Sequence, residues 1–169
     1  MSRDLNDWTQ QLRELLAELK SQDFGYPLGR NEILSPGPAT PDTPLELEPL
    51  YAVTDGAVLE DVHVGYFIDT AARVAAAADR GEPTRIEGET PARIWVFGSD
   101  GGGGRFAISR NEGSIWYLPA SGEVRSGTFY EDARVKARRC AATLSEFLWR
   151  LRDDVAAFVR LEPRHEYIS

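Results

Sequence analysis

The chain has 169 residues and a mass of 18.8 kDa, which predicts one domain that buries a hydrophobic core without disulfide or metal support. Its single cysteine, Cys140, excludes an intrachain disulfide, and no apolar run reaches the roughly 18 residues that a membrane helix needs. The formal net charge of −8 argues against nucleic-acid binding, because phosphate contacts require clustered Lys and Arg. The N-terminus is acidic where a signal peptide would be basic and then apolar, so we expect a cytoplasmic protein.

The negative charge is unevenly distributed along the chain. Residues 1–62 hold 4 basic and 12 acidic side chains, whereas residues 63–169 hold 15 of each. The whole excess of −8 therefore lies in the first third. Acidic surface often serves solubility alone, and the alternative is electrostatic attraction of a basic protein partner.

The first third of the chain predicts one long helix and then irregular structure. Apolar residues at helical spacing predict an amphipathic helix from Asp4, its N-cap, to about Ser21. Prolines and glycines then predict a short strand at Asn31–Leu34 and an extended, proline-rich surface loop at about 35–44. A short helix follows at Leu50–Thr54 and ends at Gly56.

The remainder predicts a mixture of strands and helices. A strand over Val62–Ile68 and an alanine-rich helix over Ala71–Asp79 come first. Glycine-rich turns separate three β-prone segments, which predicts an antiparallel meander of Arg93–Gly98, Arg105–Ser109 and Ser114–Leu118. Val124 and residues 135–140 are further strand candidates. Thr143 and Glu146 match a capping box, and the helix that they open is stopped by Pro163, where a short frayed tail begins.

These elements predict a single α+β domain over residues 1–169, with a mostly antiparallel central sheet and helices packed on one face. No residue pattern in the sequence predicts catalysis. The stretch around Ser99 has the wrong spacing for a hydrolase nucleophile, and the glycines at 101–104 are followed by Arg105 and not by the Lys of a phosphate loop. Asp61 and His63 make a weak metal site at best, and we interpret Cys140 as a small buried residue. We therefore expect no enzyme activity, no cofactor and no metal.

The order of the motifs resembles the SUKH superfamily over about Glu32–Phe158. PLELEPLYAVTDGAVL (Pro44–Leu59) resembles its proline, short helix and glycine turn, and IWVFGSDGGGGRFAI (Ile94–Ile108) resembles its strand, acidic glycine-rich turn and strand. YFIDTAARVAAA (Tyr66–Ala77) fits the step between these two hallmarks. SIWYL (Ser114–Leu118) matches the next strand, and CAATLSEFLWRL (Cys140–Leu151) resembles the closing segment. The long proline-rich loop and the four consecutive glycines depart from the family pattern.

The resemblance implies an α+β fold with a non-catalytic binding role. Many bacterial members are immunity proteins that neutralise a cognate toxin, often a nuclease or deaminase, and others are regulatory interaction modules. Because nuclease toxins tend to be basic, an acidic inhibitor would gain association rate by electrostatic steering. Asp55, Glu60 and Asp61, which cluster near the Gly56 turn, and Asp100 in the glycine-rich turn are the candidate partner-binding residues.

Two alternatives of other classes remain open at this point. The first is a small-molecule or anion-binding domain that uses the backbone amides of the glycine-rich turn together with Asp100 and Arg105. The second is a regulatory scaffold whose proline-rich segment, Ser35–Pro44, binds partners in an extended conformation. The sequence leaves the oligomeric state undetermined.

Overall fold

The computed structural model describes residues 4–38 and 40–169 and has an α+β fold. In chain order the elements are α1 (Leu5–Ser21), β1 (Asn31–Ile33), a 3₁₀ turn (Leu45–Leu47), α2 (Glu48–Tyr51), β2 (Ala57–Leu59), β3 (Tyr66–Ile68), α3 (Ala71–Ala75), β4 (Arg85–Glu87), β5 (Ala92–Asp100), β6 (Arg105–Ser109), β7 (Ile115–Leu118), β8 (Glu123–Arg125), β9 (Thr128–Tyr130), β10 (Arg138–Ala141) and α4 (Leu144–Val159). The predicted proline-rich loop connects β1 to the 3₁₀ turn, and its residue Ala39 lies outside the described residues.

The ten strands form a mostly antiparallel sheet. Seven of them run in the order β1-β2-β3-β5-β6-β7-β10, and every neighbouring pair in this series is antiparallel. The first residues of β5 also pair with β4, which lies parallel to β9, and β9 pairs in turn with β8. The predicted meander is thus confirmed as β5-β6-β7, at the centre of the sheet.

The helices lie against one face of this sheet. Strand β5 alternates between two cores: Phe97 joins the large core shared with the four helices, whereas Ile94 and Val96 join a smaller core. That smaller core contains strand and loop residues alone. The α1 and α4 helices are joined directly, because the Trp8 indole Nε1 donates to the Leu148 carbonyl oxygen at 2.6 Å. The predicted fold class is confirmed. Among the described residues, no helix has the length and apolarity needed to cross a bilayer.

Some element boundaries differ from the sequence-based expectation. The predicted strand over 62–68 is a strand only at its end, because the preceding residues turn sharply at His63 (φ 54°) and Gly65 (φ 88°). That turn lets β2 fold back on β3 as a hairpin. The helix predicted for 71–79 ends at Ala75, and the chain continues as turns towards Gly81. The short helix predicted at 50–54 instead spans Glu48–Tyr51.

The C-terminal tail, predicted to fray from about residue 163, packs instead against the core. Ile168 is fully buried, and its N–H donates to Asp154 Oδ2 of α4 at 3.0 Å. The Tyr167 ring stacks on His63 with 3.8 Å between ring centroids. The physical reason is that the buried Asp154 carboxylate requires hydrogen-bond donors, and the returning tail supplies them.

Candidate functional site

A groove of about 310 Å³ lies where the proline-rich loop passes α2 and the start of α3. We call it the acidic groove, and its principal lining residues are Pro36, Pro38, Glu48, Tyr51, Asp55 and Ala71. Prolines, tyrosine and alanine give it apolar walls, and the two carboxylates give it negative charge. A depression of this size and composition accommodates a long amphipathic side chain.

Tyr51 forms a fixed apolar wall of the acidic groove. Its hydroxyl donates to the Asp69 carbonyl oxygen at 2.8 Å, which holds the ring between α2 and the end of β3. Burial, reinforced by the charges of Asp69 and Asp55, raises the pKa of this phenol well above its ordinary value. The ring therefore stays neutral and contributes surface, not charge.

Asp55 has both a structural bond and an available oxygen. Its Oδ1 accepts the Ala71 N–H at 3.0 Å, at the N-terminus of α3, where an unpaired amide would otherwise remain. Its Oδ2 lies close to Gly37 of the proline-rich loop and accepts no hydrogen bond from the described residues. Glu48, in the first turn of α2, is exposed and has no ion-pair partner among the described residues. One carboxylate oxygen of Asp55 and the whole Glu48 side chain are thus available to a cationic group.

The four predicted partner-binding residues do not form one surface. Asp55 and Glu60 lie at opposite ends of β2. Glu60 and Asp61 hold the start of β1, because Glu60 Oε2 accepts the Arg30 N–H at 2.7 Å and Asp61 Oδ2 accepts the Gly29 N–H at 2.8 Å. Asp61 also accepts from the Asn31 side-chain amide at 2.6 Å. These carboxylates satisfy backbone donors, and only Asp55 lies in the acidic groove.

Asp100 organises the glycine-rich turn from the inside. It is only 7% exposed, its Oδ1 accepts the N–H groups of Gly102 and Gly104, and its Oδ2 accepts the Tyr117 hydroxyl at 2.7 Å. The remaining two glycine amides donate to carbonyl oxygens, Gly101 to Gly65 and Gly103 to Asp100. All four amides are therefore occupied within the chain, and Arg105 pairs with Glu82. This geometry does not favour the anion-binding alternative for the turn.

The side chains with the greatest chemical reactivity are buried, hydrogen-bonded or stacked on a neighbouring ring. Burial raises the pKa of the Cys140 thiol to about 11, so little thiolate exists at neutral pH. His165 Nε2 lies 2.6 Å from Asp154 Oδ1, which is itself 1% exposed, and His63 stacks on Tyr167. No group of three or more His, Cys, Asp or Glu within residues 4–38 and 40–169 is placed to hold a metal ion.

Sequence reasoning missed most of the acidic groove. Pro36 and Pro38 were recognised only as loop residues, and Tyr51 only as part of the short helix predicted at Leu50–Thr54. The available signal was the succession of Asp42, Glu46 and Glu48 among prolines, at the end of the proline-rich loop and just after it. That signal locates acidic surface but not a groove, because the groove depends on how the loop crosses α2.

Comparison with known proteins adds no assignment. No family model matches the sequence, and no curated protein shows significant similarity to it. The features of the chain that bear on function are therefore the acidic groove, the charge distribution and the order of its sequence motifs.

Proposed function

We propose that the chain is a non-catalytic protein-binding domain, an immunity protein that binds and neutralises a basic bacterial toxin domain of the nuclease or deaminase kind. The observation that carries this proposal is the acidic groove, in which two carboxylates flank apolar walls. Such a surface suits a protruding Lys or Arg of a basic partner, because the aliphatic stem packs on Tyr51 while the charge meets Asp55 and Glu48.

The charge of the chain segment that supplies most of the acidic groove supports a basic partner. Residues 31–62 contain seven acidic side chains and no Lys or Arg. A field of one sign over a surface accelerates association with a partner of the opposite sign, and the effect falls with ionic strength. An acidic inhibitor of a phosphate-binding toxin both associates faster and blocks the substrate site, because the basic surface that it covers is the one that the toxin uses for its substrate.

The experiment begins with affinity capture from a lysate of the source cells at low salt, followed by purification of any basic protein that is retained. Binding is then measured by calorimetry, and the captured protein is assayed as a nuclease and as a deaminase with and without the chain. We expect stoichiometric inhibition and tight binding that weakens as salt rises. A captured partner whose activity is unaffected by saturating chain contradicts the immunity role.

The surface is tested with matched charge reversals. Glu48→Lys, combined with Asp42→Lys on the loop between the lining residues Thr40 and Thr43, should weaken binding at least about tenfold, equivalent to 1.4 kcal/mol. Glu14→Lys combined with Glu18→Lys makes the same change in net charge on the exposed side of α1 and serves as the control. Equal weakening by both pairs would show that only the overall charge matters and not the acidic groove.

A further inference from the structure

We propose that Arg85, Arg93 and Arg110 form a binding site for a phosphate group, either free or carried by a small molecule. The three side chains line, with Thr84, an open cavity of about 330 Å³. This site is separate from the acidic groove, and the proposal does not depend on the proposed function.

The sheet places the three arginines in one row across adjacent strands. Arg85 of β4 and Arg93 of β5 are direct partners in the antiparallel pairing. Arg110 follows β6, and its backbone N–H donates to the Arg93 carbonyl oxygen at 2.9 Å. Because directly opposed residues of neighbouring strands project to the same side of a sheet, the register brings the three guanidinium groups together.

This arrangement is electrostatically unfavourable in the absence of an anion. Like charges directly opposite each other destabilise a strand pair. Burial, and after it the nearby charge of Arg93, lowers the pKa of Arg110, because both disfavour a charged guanidinium. A chain with a net charge of −8 nevertheless keeps three arginines side by side here. A dianion between them would convert the mutual repulsion into attraction.

The carboxylates nearby do not neutralise the row. Glu87 lies 3.2 Å from Arg85, in a pair that is about half exposed and therefore weak. Glu46 favours the charged form of Arg110 but lies outside ion-pair distance. Arg93 has no ion-pair partner among the described residues. At least one full positive charge of the row is thus uncompensated.

Two of the guanidinium groups are held in position before any ligand arrives. Arg110 stacks on Trp95 with its Cζ 3.7 Å from the ring centroid, and its Nε donates to the Ile94 carbonyl oxygen at 3.3 Å. The Nε of Arg85 donates to Thr128 Oγ1 at 2.8 Å. In both residues the Nε atom serves as the anchor. Both terminal nitrogens of Arg110 and Nη1 of Arg85 remain for a ligand, because Nη2 of Arg85 already faces Glu87. Fixed guanidinium groups bind phosphate well, because their forked donors match its oxygens.

Phosphate fits the row better than a carboxylate does. Three separate guanidinium groups offer more donors and charge than the two oxygens of a carboxylate can accept. A phosphate dianion has at least three acceptor oxygens and close to two negative charges at neutral pH. It can therefore bridge all three arginines at once.

The test is a titration of the full chain with inorganic phosphate, AMP and ribose 5-phosphate at constant ionic strength, followed by amide NMR and thermal unfolding. We expect saturable shifts at residues 84–85, 93–94 and 110 with a Kd of about 1 mM or lower, and a higher unfolding temperature. If AMP binds most tightly of the three, the site also contacts the base, and if ribose 5-phosphate does, it also contacts the sugar. Equal binding of all three probes would mean that the site recognises the phosphate alone. The proposal is overturned if none of the three probes gives a saturable shift. It is also overturned if a DNA oligonucleotide, titrated in the same way, binds and the three small probes do not.

Arg93→Gln provides the decisive variant, because Arg93 is exposed and its loss removes no internal contact. It should bind phosphate at least about tenfold more weakly, and in phosphate-free buffer it should be at least as stable as the unmodified chain. Arg139→Gln, an exposed arginine on β10, is the matched control and should bind normally. Equal loss in both variants would show nonspecific charge binding and would overturn the site.

Discussion

At the residue scale, Asp100 determines the conformation of the glycine-rich tip of the β5–β6 hairpin. Its carboxylate accepts two glycine amides and the Tyr117 hydroxyl, and it is almost fully removed from solvent. Burial and the hydrogen bond to Asp100 together raise the pKa of Tyr117 to about 12. Asp100, which the sequence suggests as a partner-binding residue, is thus a hydrogen-bond acceptor inside the fold.

Asp100→Ala should lower the free energy of unfolding by about 1–3 kcal/mol, because it leaves the buried Gly104 amide and the Tyr117 hydroxyl without their acceptor. The measurement is urea unfolding followed by tryptophan fluorescence. Asp79→Ala, at an exposed carboxylate of the α3 region, is the control and should change little. Equal stability of the two variants would show that the Asp100 hydrogen bonds contribute nothing net.

Glu131 makes stability depend on pH in a defined direction. Burial raises the pKa of this carboxyl, but hydrogen bonds outweigh it and hold the pKa below its ordinary value: Thr90 donates twice at 2.9 Å and the Ala137 N–H once at 2.8 Å. The unfolded chain therefore binds a proton at Glu131 more readily than the folded chain. Its contribution to stability is present above the ordinary carboxyl pKa of about 4.3 and is lost as pH falls through the folded value.

Glu131→Gln should consequently be less stable than the unmodified chain at pH 7, and the difference should narrow as the pH falls below about 4. Denaturant unfolding at a series of pH values measures that difference. Glu112→Gln, at an exposed carboxylate in the β6–β7 turn, should show no such trend. A difference that is constant with pH would mean that the charge of Glu131 is irrelevant to folding.

At the element scale, the four glycines of the β5–β6 hairpin have different roles. A Cβ atom on Gly101 would lie 1.9 Å from the Val64 carbonyl oxygen, because the β2–β3 turn packs directly on the hairpin. A Cβ on Gly102 would meet only the Asp100 carboxylate, at 3.3 Å. The hairpin tip therefore needs glycine at 101 for close backbone approach, and not at 102.

Gly101→Ala should lower the free energy of unfolding by about 1–3 kcal/mol through this clash. Gly102→Ala, its matched control, should change it by less than about 1 kcal/mol in either direction. Thermal and urea unfolding of both variants measure the difference. If both variants lose the same stability, the close approach of the two turns is not what constrains Gly101.

The C-terminal tail also acts as a structural element. Tyr66 and Asp154 face it from β3 and α4: the Tyr66 hydroxyl lies 3.4 Å from Asp154 Oδ2 and 3.3 Å from the Ser169 hydroxyl. Ile168→Ala should lower the free energy of unfolding by about 2–5 kcal/mol, as for other buried aliphatic residues. Glu166→Ala, in the same tail but exposed, should be neutral. Equal urea midpoints for both variants would contradict a packed tail.

At the scale of the whole molecule, the charge asymmetry should be visible in salt-dependent stability. Seven acidic residues lie within residues 31–62 without a single Lys or Arg, and their mutual repulsion opposes the compact state. Raising the ionic strength from about 10 to about 150 mM shortens the Debye length from about 30 to about 8 Å and screens this repulsion. We expect stability to rise modestly, by less than about 1 kcal/mol.

The double variant Asp42→Asn, Glu48→Gln should reduce this salt dependence, because it removes two charges from the acidic region. The control double variant, Asp79→Asn with Glu112→Gln, lies in the part of the chain where acidic and basic residues balance, and should retain it. Urea unfolding at the two ionic strengths measures the salt-dependent change in the free energy of unfolding for each double variant. A loss of salt dependence in the control as well would indicate an effect of total charge alone.

Local sequence signals were sufficient for the long elements. The capping residues Asp4 and Thr143 begin α1 and α4 as predicted, and the Glu146 N–H donates to the Thr143 hydroxyl. Strands β5 to β7 were recognised because β-branched and aromatic residues alternate between glycine-rich turns. In each case the deciding interactions join residues close in sequence, so hydrophobic periodicity and capping chemistry are visible in a short window.

The tertiary structure decided the rest. The three-residue strands β2, β4 and β9 carry too little pattern to be predicted alone, and each exists because a partner strand lies beside it. The packing of the tail on Asp154, the internal bonding of Asp100 and the acidic groove all join residues that are distant in sequence or set by the course of a loop. Composition and periodicity determined the fold class, the charge asymmetry and the long helices, whereas the role of each carboxylate was decided by whichever amide, hydroxyl or loop the fold placed beside it.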